Sequence, residues 1–346
     1  MSCAKNMTQG DKMKDYRFGE IEKGKKNLIT DVPGVLVGHV TLSDGDIQTG
    51  VTAILPHSGD LYHEKCPAAS HVINGFGKST GLMQINELGS IETPIILTNT
   101  LSVGEAFSGC VRYMLSKNEG ICRTEGTVNP VILECNDSVL NDTRGLHIKP
   151  EHVFEAINNA CEDFELGAVG AGRGMSCYRL KGGIGSASRV FTVAENTYTL
   201  GALVMTNFGS LRDLMISGDP VGRRLSGGGE NTKGSCIMVL ATDAPVSSRQ
   251  LQRIARRAQS GLARTGGITS GGSGELVVAF STANRMRTDE PLWHMSFLND
   301  DQLERLFRSA TETVEEAIIR SMTEAEAVTG REGHTRAALS DLLKDE

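Results

Sequence analysis

Short continuous apolar runs alternate along the chain with longer stretches in which apolar residues recur every three or four positions. The runs 51–55, 94–97, 131–133, 190–193, 200–205, 236–241 and 276–280 read as strands. Several are β-branched with no polar alternate, the pattern of strands covered on both faces, and so of a layered α/β architecture. Helical spacing is clearest over 103–115, 151–161, 248–264 and 300–327. In the third of these, Ser247 followed three residues later by Gln250 has the form of a capping box, and Leu251, Ile254, Ala258 and Leu262 make one apolar face. Leu303, Leu306, Phe307, Ala310, Val314, Ala317 and Ile318 do the same in the fourth, and both stripes are expected to face a core. The longest apolar runs fall far short of the roughly 20 residues a membrane helix needs, so no membrane partner is expected.

Composition narrows the function classes. The 346 residues carry 35 Lys and Arg against 42 Asp and Glu, a net charge of -7, and only 5% are aromatic. Nucleic-acid surfaces want a basic stripe with interleaved aromatics, so none is expected here. An ordinary apolar share excludes global disorder, and the length suits one large domain or two ordinary ones. Glycine is the anomaly, with 40 residues against a usual share of about 7%. Such an excess points to tight turns and close backbone approaches, as in a glycine-lined active site.

The glycine clusters at 167–174, 182–185 and 266–272 fit neither GxGxxG nor GxxxxGK[ST] in a strand-loop-helix setting, and there is no GxSxG elbow. Eight cysteines form no CxxC pair, and eight histidines give no HExxH or HxH. No disulfide framework, metal or other cofactor is therefore expected. Residues 1–27 are polar and Lys-rich without the apolar core of a secretory signal, which reads as an N-terminal arm on a cytoplasmic protein.

Two places carry candidate chemistry. Residues 208–234 form a long polar, Gly-rich segment that ends abruptly at the apolar run CIMVLAT, so Ser235 stands at the lip of the core directly after Gly234. Ser273 and Glu275 precede the run LVVAF. They are two positions apart, so if the strand begins early they project to the same side and could form a hydroxyl-carboxylate relay. On spacing alone, a turn with a solvated acid is the commoner meaning of Ser-Gly-Glu.

The block Gly234-Ser235-Cys236-Ile-Met-Val-Leu-Ala-Thr-Asp243-Ala244-Pro245, the helix QLQRIARRAQSGLARTGG and then Ser273-Gly274-Glu275 together resemble the DmpA family. These are L-aminopeptidase/D-esterase-amidases and β-peptidyl aminopeptidases, self-cleaving amide hydrolases. The blocks 29–39, 50–54, 94–100, 134–142, 181–185 and 206–209 match in order, so the resemblance spans nearly the whole chain. It implies a four-layer αββα sandwich of the N-terminal-nucleophile type, shared with ornithine acetyltransferases. One catalytic domain over 28–346 would be cut between Gly234 and Ser235 into fragments 1–234 and 235–346, and the processed protomers would form a homotetramer.

The resemblance also implies roles. Cleavage would free the α-amine of Ser235, whose unperturbed pKa near 8 lets one residue supply both nucleophile and general base. Gly234 would leave the preceding carbonyl open to the serine hydroxyl. Ser273 and Glu275 would position that hydroxyl and amine, Asn207 would supply a side-chain oxyanion donor, and Glu134 would hold the substrate's free ammonium. Asn136 stands where the family has a tyrosine; two N–H donors remain but the apolar ring wall is gone. Cys236, a rival nucleophile by chemistry, points away from Ser235 by strand alternation and reads as a core residue. The expected substrate is a small peptide, aminoacyl amide or ester, hydrolysed after its free N-terminal residue. An endo-acting amide hydrolase, an acyltransferase on the related fold, whose members carry Thr at the nucleophile position, and an unprocessed binding protein are the alternatives. The acyl residue, whether L-α, D-α, β or ω-amino, stays open.

Overall fold

The computed structural model describes residues 16–193, 195–225 and 234–344. Numbered in chain order, its main elements are β1 (Leu36–Asp44), β2 (Ile47–Leu55), β3 (Glu64–Gly75), α1 (Leu82–Leu88), β4 (Ser90–Ile91), β5 (Ile95–Asn99), α2 (Val103–Lys117), β6 (Val131–Cys135) and α3 (Pro150–Asn158). There follow β7 (Ser176–Cys177), β8 (Leu180–Lys181), β9 (Ile184–Val193), β10 (Asn196–Asn207), α4 (Val221–Leu225), β11 (Ser235–Thr242), α5 (Ser248–Ala255), α6 (Ala258–Arg264), β12 (Gly274–Ser281), β13 (Met286–Arg287) and α7 (Glu304–Thr323).

Two sheets result, one in the order β1-β2-β5-β6 and a larger one in the order β13-β3-β12-β11-β10-β9, with β4 beside β3. Their facing sides make one core, in which Val37, Ile54, Ile95 and Leu133 of the small sheet meet Leu203, Ile237, Val239, Leu276 and Phe280 of the large one. The other side of the small sheet packs Val51, Ile96 and Ile132 against Ala106, Cys110 and Met114 of α2 and Val153 and Ile157 of α3. The other side of the large sheet packs Ala202, Val204, Met238, Leu240 and Val277 against α5, α6 and α7 through Leu251, Ile254, Leu262, Leu306, Ala310 and Val314. Those are the four αββα layers. They explain the continuous apolar runs: odd residues of β11 face the other sheet and even ones face helices, so neither set can be polar.

Local differences from the sequence reading have physical causes. The capping box forms, with Ser247 N–H on Gln250 Oε1 (2.9 Å) and Gln250 N–H on Ser247 Oγ (3.3 Å). The helix it starts breaks at Arg256 and Arg257 into α5 and α6. The fourth helix begins at Glu304 behind a 3₁₀ turn at Asp300–Gln302, capped by the Asn299 side chain, and stops at Thr323. Two of the long strands gave no run at all. β1 mixes Gly38, His39 and Thr41 with its apolar residues, and β3 buries the small residues Ala68, Ala69 and Ser70, which fill a sheet without announcing it. The described part of the polar arm is fastened down: Phe18 and Ile21 are buried, and the N–H groups of Glu20 and Ile21 donate to Glu312 at 3.1 Å each. Among the described residues no helix is long and apolar enough to cross a membrane.

Candidate active site

β11 starts at Ser235, and the sheet register sets Asn207 of antiparallel β10 on one side of it and Gly274 of parallel β12 on the other. Three separate stretches of sequence thus end side by side. Gly234, immediately before, has φ +153°, and a Cβ there would lie 2.1 Å from the Asn207 carbonyl oxygen and 2.6 Å from Phe208 Cα. Only glycine fits. Its carbonyl accepts the Gly274 N–H at 3.1 Å. Gly274 also leaves room: the place its Cβ would take is 3.2 Å from Ser235 Oγ and 2.6 Å from the Phe76 carbonyl oxygen. Ser235 is 9% exposed, at the rim of the inter-sheet core. Cys236 packs on the opposite, helix-covered face, where burial pushes its thiol well above the usual range.

Ser273 and Glu275 do pair. Ser273 Oγ accepts the Ser270 N–H (3.1 Å) and lies 2.8 Å from Glu275 Oε2 as donor, with the Ser270 carbonyl equally close. Asn74 holds this turn through bonds to the carbonyls of Ser270 and Ser273. Glu275 is only 2% exposed, which removes the solvated-turn alternative. Burial raises its carboxyl pKa and the Ser273 hydrogen bond opposes the rise without cancelling it. Glu275 is the register neighbour of Cys236, one residue along from Ser235, and among the described residues neither member of the pair hydrogen-bonds Ser235 Oγ directly.

The Asn207 carboxamide oxygen accepts the Ser176 N–H at 2.9 Å, which leaves its NH₂ end as the available donor on the residue facing Ser235. Glu134, near the end of β6, is buried; its Oε1 accepts the Lys78 N–H at 2.9 Å, and a Cβ on Gly77 would crowd it at 2.8 Å. Among the described residues no cation pairs with Glu134. The loop that holds Glu134 also holds the serine end of the site, since Phe76 N–H donates to the Ser273 carbonyl at 3.2 Å. Two residues of chain, Phe76 to Lys78, reach at most about 7 Å, so Glu134 stands close to the Ser273-Gly274 turn. Asn136 is exposed, and its oxygen closes a turn by accepting the Ser138 N–H at 3.0 Å. It is not tied to the other candidates by a hydrogen bond among the described residues. Sequence reasoning missed Ser176, Phe76 and Lys78 because they act through backbone N–H groups, which have no residue signature.

Residues 27–336 match peptidase family S58. The chain belongs to that family. Beta-peptidyl aminopeptidase BapA of Sphingosinicella microcystinivorans is 38% identical over 342 residues, covering 90% of this chain and 85% of that protein. A solved structure from Pyrococcus horikoshii OT3 is 52% identical with a TM-score of 0.93, covering 97% of this chain and 98% of its own. The L-aminopeptidase D-Ala-esterase/amidase from Ochrobactrum anthropi, described as a prototype for the serine aminopeptidases and a new variant among the Ntn hydrolase folds, is 33% identical with a TM-score of 0.91 and 98% coverage of both chains. The S58 chain is thus a peptidase of the DmpA type, an aminopeptidase/amidase on the N-terminal-nucleophile hydrolase fold.

Proposed function

We propose that the protein cuts itself between Gly234 and Ser235 and then hydrolyses the amide or ester bond after a free N-terminal residue, through an acyl-enzyme on Ser235. The observation that carries this is the meeting of Gly234, Ser235, Asn207 and the Ser273-Gly274-Glu275 turn at one end of the large sheet. In maturation, Ser235 Oγ attacks the Gly234 carbonyl, the C–N bond breaks as the ester forms, and water releases the two fragments. The new α-amine, unperturbed pKa near 8, then takes the Oγ proton during attack on a substrate carbonyl. Asn207 Nδ2 donates to the oxyanion, and the amine passes its proton to the leaving nitrogen. Water, deprotonated by the same amine, hydrolyses the acyl ester. Ser273 and Glu275 hold the amine in place, and Glu134 receives the substrate ammonium.

The activities named for the relatives support small free-amine substrates, with an α or β acyl residue. The assembly we infer is a homotetramer, about four times the 37.1 kDa chain by sedimentation. Intact-mass measurement with N-terminal sequencing is the test of processing. It should find fragments of about 25 and 12 kDa, the shares of residues 1–234 and 235–346 in 37.1 kDa, the smaller beginning at Ser235. Ser235→Ala should stay one chain and be inactive. Continued processing in that variant would overturn the assignment.

A further inference from the structure

Lys181 is the one fully buried lysine among the described residues, and the reaction above does not use it. Its Nζ donates to three backbone carbonyls, Gly172 at 3.0 Å, Met175 at 2.8 Å and Gly182 at 2.5 Å. Three acceptors match the three N–H bonds of an ammonium, whereas a neutral amine would turn its lone pair on one of them. Among the described residues no carboxylate pairs with it, and burial pushes its pKa well below the ordinary lysine range. Its three bonds tie together backbone that no other side chain among the described residues gathers at one atom.

What it holds is the segment 172–182. Within it, β7 and β8 form a hairpin whose turn residues, Tyr178 and Arg179, have φ of +50° and +64°, conformations that side-chain-bearing residues adopt at a cost. The hairpin is pressed on the end of β10: Tyr178 N–H donates to the Phe208 carbonyl at 2.6 Å, and Ser176 N–H donates to Asn207 Oδ1 at 2.9 Å. Met175, whose carbonyl Lys181 binds, is the residue before Ser176.

We propose that Lys181 is a positioning residue: by gathering the carbonyls of Gly172, Met175 and Gly182 it sets the Ser176 N–H that grips the Asn207 carboxamide, and so aims Asn207 Nδ2 at the oxyanion. This rests on the reading of Asn207 as oxyanion donor. The test is a double-mutant cycle on the full chain, with kcat and KM measured per processed protomer. Asn207→Ala should lower kcat about 100- to 1000-fold. Lys181→Met should lower kcat by about tenfold or more with KM nearly unchanged, and in the Asn207→Ala background it should have little further effect, because its partner is gone. Lys181→Gln keeps two N–H donors and carries the same cycle if Lys181→Met does not fold, with a smaller loss expected. Effects that multiply in the double variant, or full kcat in a folded Lys181 variant, would overturn the proposal. Full kcat in Asn207→Ala alone would instead overturn the oxyanion reading itself.

Discussion

Two sets of buried glutamates in this molecule live under opposite electrostatic regimes. On α7, Glu312 and Glu316 face the fully buried Arg189, whose guanidinium lies 3.4 Å from the first and 2.8 Å from the second, and Glu316 also takes Lys23 (2.7 Å) and Asn27 (2.8 Å). Burial alone would raise both carboxyls, but Arg308 (2.8 Å) and the Glu20 and Ile21 N–H groups on Glu312, and Arg189 and Lys23 on Glu316, more than reverse it and hold both below the usual range. At the candidate site, Glu134 and Glu275 are as deeply buried, yet among the described residues only N–H and O–H groups bond them. The first set is complete without a ligand. The second lacks a cation among the described residues, and on the proposed reading the substrate ammonium and the Ser235 amine would supply it.

The contrast makes the two sets separable by mutation. The largest expected effect is on the fold: Glu316→Gln leaves Arg189 buried with half its compensation, at a cost of about 3–5 kcal/mol. Thermal unfolding should show a large fall in Tm while kcat of the remaining folded enzyme stays near wild type. Next comes Glu134→Gln, where the Lys78 N–H still finds an oxygen and stability should change by less than about 1 kcal/mol. Turnover of a free-amine aminoacyl amide should drop about 100-fold, near 2.7 kcal/mol of barrier. The N-acetylated amide, poor already in wild type, should hardly change. Equal wild-type cleavage of the free and acetylated forms would make the enzyme endo-acting and erase the distinction between the two glutamate sets.

How far the sequence could anticipate this depends on how local each contact is. The strands of the inter-sheet core were legible because two covered faces force continuous apolar runs, as in 236–241. Ser273 and Glu275 were legible because the contact is local, two residues apart where the turn runs into β12, although Ser273 lies in the turn and not on the strand. Arg189 with Glu312 and Glu316 was invisible, since more than a hundred residues separate the partners and each looks like a surface charge. The Ser176 grip on Asn207 was invisible for another reason: the donor is a backbone N–H, present at every residue but proline. The resemblance to the DmpA family named residues that geometry alone would have left scattered. It did not name what orients them.

A smaller effect is expected at Glu275. Glu275→Gln keeps the shape and one oxygen for Ser273 but removes the charge, and kcat or the rate of maturation should fall at least about tenfold, near 1.4 kcal/mol. Tm should change little, because the amide keeps the Ser273 hydrogen bond and among the described residues no cation depends on the charge. A fall in Tm with unchanged kcat and maturation would move Glu275 into the structural set.

The finest separation is in acid. Glu275 has a raised carboxyl pKa, so on acidification it takes up its proton above the ordinary glutamate value of 4.5, and that uptake favours the folded state. Glu312 and Glu316 have lowered pKa values; the stability they contribute is present above 4.5 and is lost only as pH falls through their depressed values. Activity should therefore decline first as the Ser235 amine, base of the proposed reaction, takes up a proton, and further as Glu275 takes up its own above pH 4.5, while the fold persists and unfolding follows below. A kcat profile beside near-UV circular dichroism across the same pH range measures both. The charge loss in Glu275→Gln destabilises the protonated amine and should displace the activity limb to lower pH, leaving the unfolding limb where it was. Coincident limbs in wild type would show that acid acts on this enzyme through its fold, and an activity limb that the substitution does not move would show that the amine titrates without help from Glu275.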